Sequence, residues 1–196
     1  MKYFENIKKL NEYYKVDVKH PLIDIRRYSD IIPLVPLSIE PLIFDFYNIS
    51  FLKNFNGNME YGNTKFTDTS GGFYFVQPGQ IYSYTSTTPF DGYQILVHPD
   101  IYKSHLSKKN IETYNFFYYD INESLLLTKE EENEVNLLMN RAWNELNNKK
   151  DDFSIPIVLS YVSILLNISE RFYSRQFNAR KRLCNKLSSG FLFKKT

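Results

Sequence analysis

Three histidines, His20, His98 and His105, are the side chains in this chain best suited to metal ligation or proton transfer. Their spacing supports neither. No two lie two, three or four residues apart, and no acid is placed to complete a triad of ligands. Metal sites in small barrels draw several ligands from neighbouring strand motifs. Each histidine therefore reads as structural, and His98, just before Pro99 at a strand end, is expected to bond a nearby backbone group. A Gly-x-Ser-x-Gly nucleophile motif is absent, and Ser70-Gly71-Gly72 lacks the lysine and the helix of a phosphate-cradling loop. Among the acids, Asp24 and Asp45 stand out because both fall within predicted strands. A carboxylate turned into a barrel is costly unless paired; one turned outward needs no explanation. Arg26 is a natural partner for Asp24, two positions along the same strand face. The sequence thus nominates no catalytic residue, no metal site and no cofactor, and the chain reads as a protein other than an enzyme.

The elements that would position these side chains divide the chain in two. Residues 1–19 read as an N-terminal arm with a short amphipathic helix, Tyr3, Ile7, Leu10 and Tyr14 sharing one face. Candidate strands follow at Leu22–Tyr28, Leu42–Leu52, Asn58–Tyr61, Gly72–Val76, Ile81–Thr85 and Tyr93–His98, separated by turn signals such as Pro78-Gly79 and Asp91-Gly92. Close strands without intervening helices imply an antiparallel sandwich or barrel over residues 20–122. In Leu42–Leu52, read as one strand, both alternating faces are largely apolar. One would face a lumen and the other a second sheet or helix. An aromatic lumen with an occasional polar group is how small-molecule sites look, and a plain packed core gives the same pattern.

After His98 the pattern turns helical. A short helix runs from Pro99 to Leu106, and Asn115–Asn122 reads as a return strand or extended loop. Thr128 and Glu131 make a capping box. Asp152 is the expected cap of the last long helix. From Phe153 to Arg182 that helix is apolar over roughly 220° of its circumference at 100° per residue, against about 100° for an ordinary surface helix. Val158, Val162 and Leu165 lie on one side, and Ile157, Tyr161, Ile164 and Ile168 on nearly the opposite one. Such a helix covers its own core and something more: a second subunit, or further parts of the same monomer. Residues 123–178 are thus a helical region with a candidate dimerisation stripe. No acid follows Glu170, whereas eight Arg or Lys do, so residues 179–196 form a basic tail. It either sits near nucleic acid or complements the dipole of its own helix.

The 196 residues suit one well-buried domain with an appendage, and the net charge of +2 says little. A single cysteine, Cys184, excludes an intrachain disulfide and suits a reducing compartment. No apolar run reaches the roughly 18 residues of a membrane span, and the N-terminus lacks a signal-peptide pattern. The expected location is cytoplasmic, without a membrane partner.

Five fragments in order, PLIFDFYNISFLKNFNGNMEYG, GGFYFVQPGQIYSY, GYQILVHPDI, YYDINESLLLTKEEE and LLNISERFYSRQFNARK, resemble the amino-terminal half of AraC-family transcription regulators. The likeness spans Pro41 to Arg182. It implies an α+β fold, a cupin-like antiparallel β-barrel or sandwich followed by an α-helical appendage. It also implies a bacterial-type regulator's effector-binding and dimerisation half. DNA would enter only through a C-terminal helix-turn-helix domain outside this chain, which ends at Thr196. Many relatives carry His-x-His where this chain has Leu42 and Phe44, which argues against cupin metal chemistry. Together with the aromatic content, the resemblance places a small effector among Phe44, Phe46, Asn48, Phe75, Tyr82 and Tyr93. It places a homodimer contact on Ile157, Tyr161, Ile164 and Ile168. Two other readings stand beside it: a filled barrel that only pairs subunits, and a cupin enzyme.

Overall fold

The computed structural model describes residues 1–31, 37–62, 64–68, 71–104, 110–118, 125–148 and 151–192; of Thr64, Phe66, Ser104 and residues 180–192 it describes the backbone alone. The chain opens with β1 (Lys2–Phe4), α1 (Ile7–Tyr14), β2 (Ile23–Arg27) and the short α2 (Tyr28–Ile31). There follow β3 (Ser38–Phe44), β4 (Tyr47–Lys53), β5 (Gly57–Tyr61), β6 (Thr64–Asp68), β7 (Phe73–Val76), β8 (Ile81–Ser86) and β9 (Asp91–Val97). Next come α3 (Ile101–Ser104), two 3-10 turns at Ile111–Thr113 and Asn115–Tyr118, α4 (Lys129–Asn148) and α5 (Ser154–Leu192). The fold is α+β. The described strands form a five-stranded sheet, β1-β3-β8-β5-β6, and a four-stranded sheet, β2-β9-β4-β7. All strand pairs are antiparallel except β1 with β3. The sheets face each other as an open sandwich, and no closed barrel forms among the described residues.

Strand alternation sorts the side chains into two apolar layers. Leu42, Phe44, Phe46, Leu52, Tyr74, Val76, Tyr82 and Leu96 fill the space between the sheets, joined by Ile7 and Leu10 of α1. Their neighbours of opposite parity, Tyr47, Ile49, Phe51, Phe73, Phe75, Tyr93 and Ile95, face the other way. They pack under the 3-10 turns and helices α4 and α5. The four-stranded sheet is therefore buried on both faces, and β4 is buried at every position but Lys53. The Arg27 guanidinium helps hold the layers: it lies 3.7 Å from the Trp143 ring centroid and donates to Asn140 Oδ1 at 2.6 Å.

Local signals set the helix ends. Asn6 caps α1, its Oδ1 accepting from the Lys9 amide at 2.9 Å. The capping box of α4 is reciprocal. Thr128 N donates to Glu131 Oε2 at 2.8 Å, and Glu131 N donates to Thr128 Oγ1 at 3.3 Å. At the head of α5 the capping acid is Asp151 rather than Asp152: its Oδ1 accepts from the Phe153 amide and the Ser154 hydroxyl, each at 3.0 Å.

Several boundaries differ from the sequence expectation. Leu42–Leu52 is not one strand: the chain turns at Asp45–Phe46 and passes from one sheet to the other. Strand β3 starts earlier, at Ser38, and β6, polar and short, carries no sequence signal. Asn115–Tyr118 is a 3-10 turn rather than a strand, because Phe116 and Phe117 both turn inward under α5. His105 and residues 119–122 lie outside the described residues.

Candidate functional site

The interior of the sandwich holds a hydrogen-bonded set of buried polar groups. Asp24 and Arg26 project from β2 into it, two residues apart on the same face. Arg26 Nε donates to Asp24 Oδ2 at 2.7 Å, and each side chain is 3% exposed. Asn11, on the inner face of α1, completes the group. Its Nδ2 donates to Asp24 Oδ2 at 3.1 Å, and its Oδ1 accepts from Arg26 Nη2. Farther in, Gln94 Nε2 donates to Asn48 Oδ1 at 3.2 Å and the Ser50 hydroxyl donates to the same oxygen at 2.9 Å. Ser50 in turn meets the Tyr28 hydroxyl at 3.0 Å. Buried without a hydrogen-bond partner among the described residues are Asn48 Nδ2 and the Tyr82 hydroxyl here, and Arg27 Nε on the opposite face of the sheet.

Aromatic walls surround this network. The Phe44 and Phe46 rings stack at 4.9 Å, and Tyr82 and Tyr84 lie alongside each other. Burial pushes the Tyr28 hydroxyl up to about 12, with the Ser50 bond working against it. Burial also drives Tyr82 well above its ordinary value, reinforced by the neighbouring Tyr28 and Tyr84 phenols. Both are therefore neutral hydroxyls near neutral pH. The free space left is small. A cavity of about 20 Å³ lies among Arg26, Tyr28, Tyr82, Gln94 and the α1 residues Leu10 and Tyr14, room for about one water. A larger cleft of about 310 Å³ opens outside, touching Asp24 and Arg26 from the other side, with Lys15, Asp30 and Trp143 on its walls.

Of the six residues nominated for a ligand, Phe44, Phe46 and Tyr82 line this interior, and Asn48 joins its polar network. Phe75 and Tyr93 do not. They sit on the opposite face of the four-stranded sheet, Phe75 4.5 Å from the Phe116 ring and Tyr93 donating to Asn140 at 3.3 Å. The residues that sequence reading passed over are Asn11 and Gln94. Asn11 carried a signal, a polar residue beside Leu10 on the apolar face of the arm helix. His98 and His20 take the structural roles their positions suggest, His98 Nδ1 accepting from Asp100 N at 3.3 Å and His20 Nδ1 from Leu22 N at 3.2 Å. Asp45 lies at the surface end of β3, where it accepts from the Tyr3 hydroxyl.

The second nominated surface is on α5. Val158, Val162 and Leu165 are buried against α4 and the four-stranded sheet. Ile157 is 39%, Ile164 43% and Phe153 72% exposed, with Tyr161 between them half-buried. Ile168 departs from the stripe: it is 7% exposed and belongs to the monomer's own core. The 3-10 segment reaches that far around the helix, as Tyr114 donating to Asn167 Oδ1 at 3.0 Å shows. Two turns farther on, Arg175 forms a bidentate pair with Glu131 and donates to the Leu126 carbonyl at 2.7 Å. Gln176 accepts from Leu126 N at 3.0 Å. No protein-family model matches the chain, and no curated protein matches it.

Proposed function

We propose that this chain is the regulatory half of an AraC-type transcription regulator, a cupin-like module that pairs subunits through α5 and responds to a small molecule between its sheets. The observation that carries the reading is the double character of α5. One side is sunk into the core under Phe75 and Phe116; the other leaves Phe153, Ile157 and Ile164 in water. A single rod thus joins the sandwich to an unpartnered apolar face and then to the basic tail. The fragments that carry the resemblance also meet in space: Phe75 of GFYFVQPGQ packs on Tyr173, and Glu131 of LTKEE pairs with Arg175 of RFYSRQF. A linked DNA-binding pair would be re-presented when the docking of α1 or α5 changes. An effector shifts that balance only by binding the two arrangements with different affinity.

Sedimentation equilibrium of the protein and of the Ile157→Asp/Ile164→Asp variant tests the pairing. A dimer that becomes a folded monomer in the variant supports it. A wild-type monomer at high concentration sinks it. The small interior cavity favours a second reading, a packed sandwich whose only task is pairing.

A further inference from the structure

Asn11 is a polar residue at a core position of an otherwise amphipathic helix, and it is 0% exposed. An unsatisfied amide there would be strongly unfavourable. It is satisfied in a specific way: Asp24 takes its N–H, and Arg26 gives to its carbonyl. An acid and a base side by side thus read the donor and the acceptor of one carboxamide. Asn11 Nδ2 also lies 3.5 Å from the Asp17 carbonyl. The reading pair stands between the inner cavity and the outer cleft of about 310 Å³, which touches both residues. Trp143 supplies an apolar wall to that cleft. Arg26 uses two of its five N–H donors, on Asp24 and Asn11.

We propose that Asp24 and Arg26 form a carboxamide-reading site whose built-in occupant is Asn11. A small uncharged molecule with a carbonyl and an N–H on adjacent atoms, such as a primary amide, lactam or urea, competes with Asn11 and loosens α1. This rests on the sensing reading given above and names its ligand class. The pair is neutral as a unit, so a carboxylate would bring an uncompensated charge into a buried site. An alcohol satisfies only one of the two positions. An amide satisfies both and leaves its remaining body for the outer cleft, against the Trp143 wall. The Tyr82 hydroxyl and Asn48 Nδ2, deeper in and unpartnered among the described residues, offer donors to a longer ligand.

The Asn side chain is acetamide attached to the backbone, so Asn11→Gly, which removes Cβ as well, opens a hole of that shape. Acetamide at about ten times its dissociation constant is expected to raise the melting temperature of Asn11→Gly by about 3–6 °C and leave the wild type unshifted. Acetate and ethanol should do neither. In the wild type, benzamide is expected to speed hydrogen exchange of the α1 backbone amides by about tenfold, a displacement of the size tenfold ligand excess permits. Benzoate should leave it unchanged. Equal shifts in both proteins, acetate matching acetamide, or α1 exchange indifferent to benzamide would overturn the site. Should Asn11→Gly fail to fold, the benzamide arm decides alone. Sedimentation of the same samples separates the two ideas. A monomer that answers to benzamide refutes the pairing and keeps the site; a dimer indifferent to both amides does the reverse.

Discussion

Replacing Arg26 by Met should be among the most damaging single changes in the sandwich. The methionine fills similar space, so the loss is electrostatic rather than a cavity. Asp24, 2.7 Å from the guanidinium in a pair whose side chains are each 3% exposed, would keep only the Asn11 amide as a donor among the described residues. Removing one partner of a buried pair costs about 3–5 kcal/mol, because a charge is left uncompensated. For a chain of this length that is about 6–20 °C in melting temperature, and a large part of an ordinary stability of about 5–15 kcal/mol. The triple variant Asn11→Leu/Asp24→Leu/Arg26→Met removes every member of the cluster and should recover most of the loss, since apolar replacement of such a group is often neutral. Urea unfolding at neutral pH, read by near-ultraviolet circular dichroism, gives both numbers. A loss under about 1 kcal/mol for Arg26→Met, or a triple variant no better than the single one, would show that the pair behaves as if it were in water.

Two further outcomes follow from the geometry. Gly92 pairs with Leu52 at φ 121°, and a Cβ there would lie 1.9 Å from the Phe51 carbonyl oxygen. Gly92→Ala should therefore lose about 1–3 kcal/mol from backbone strain alone, with the clash added, measurable as a lowered urea midpoint. Tyr28 is held neutral by burial, its hydroxyl moved from 10.0 to about 12. The unfolded chain releases this proton first, so it binds fewer protons than the native state above pH 10. Its share of stability, about 3 kcal/mol at 1.36 kcal/mol per unit, is whole below pH 10 and falls as the pH rises through 12. Phenolate absorbance with parallel unfolding curves checks this; stability that is flat to pH 12 contradicts it.

Much of the plan was legible in the residues. The capping box at Thr128, the arm helix, the strand-rich middle and the pairing of Asp24 with Arg26 each rest on local patterns that tertiary context left intact. The break inside LIFDFYNISFL was invisible for a physical reason. The turn at Asp45–Phe46 moves the chain between sheets without changing which parity faces inward, so Leu42, Phe44, Phe46 and Leu52 keep an unbroken alternation. Phe75 and Tyr93 were misplaced because their strands are buried on both faces; cross-strand register, Phe75 opposite Ile49 and Tyr93 opposite Phe51, decides their side. Ile168 lies on the helix arc that sequence assigns to a partner. The 3-10 segment covering it is not helical or extended in pattern, and so gave no hint that it wraps around α5.

The strands β4 and β9 form a partition one peptide thick. Asn48 looks into the sandwich and Ile49, its neighbour, supports the bed on which the long helix rests. Both sides are close-packed, and packed interiors transmit displacement instead of absorbing it. Anything that pushes the wall outward from within must therefore dent the mattress on its far side, and the rod lying there would tilt without ever being touched.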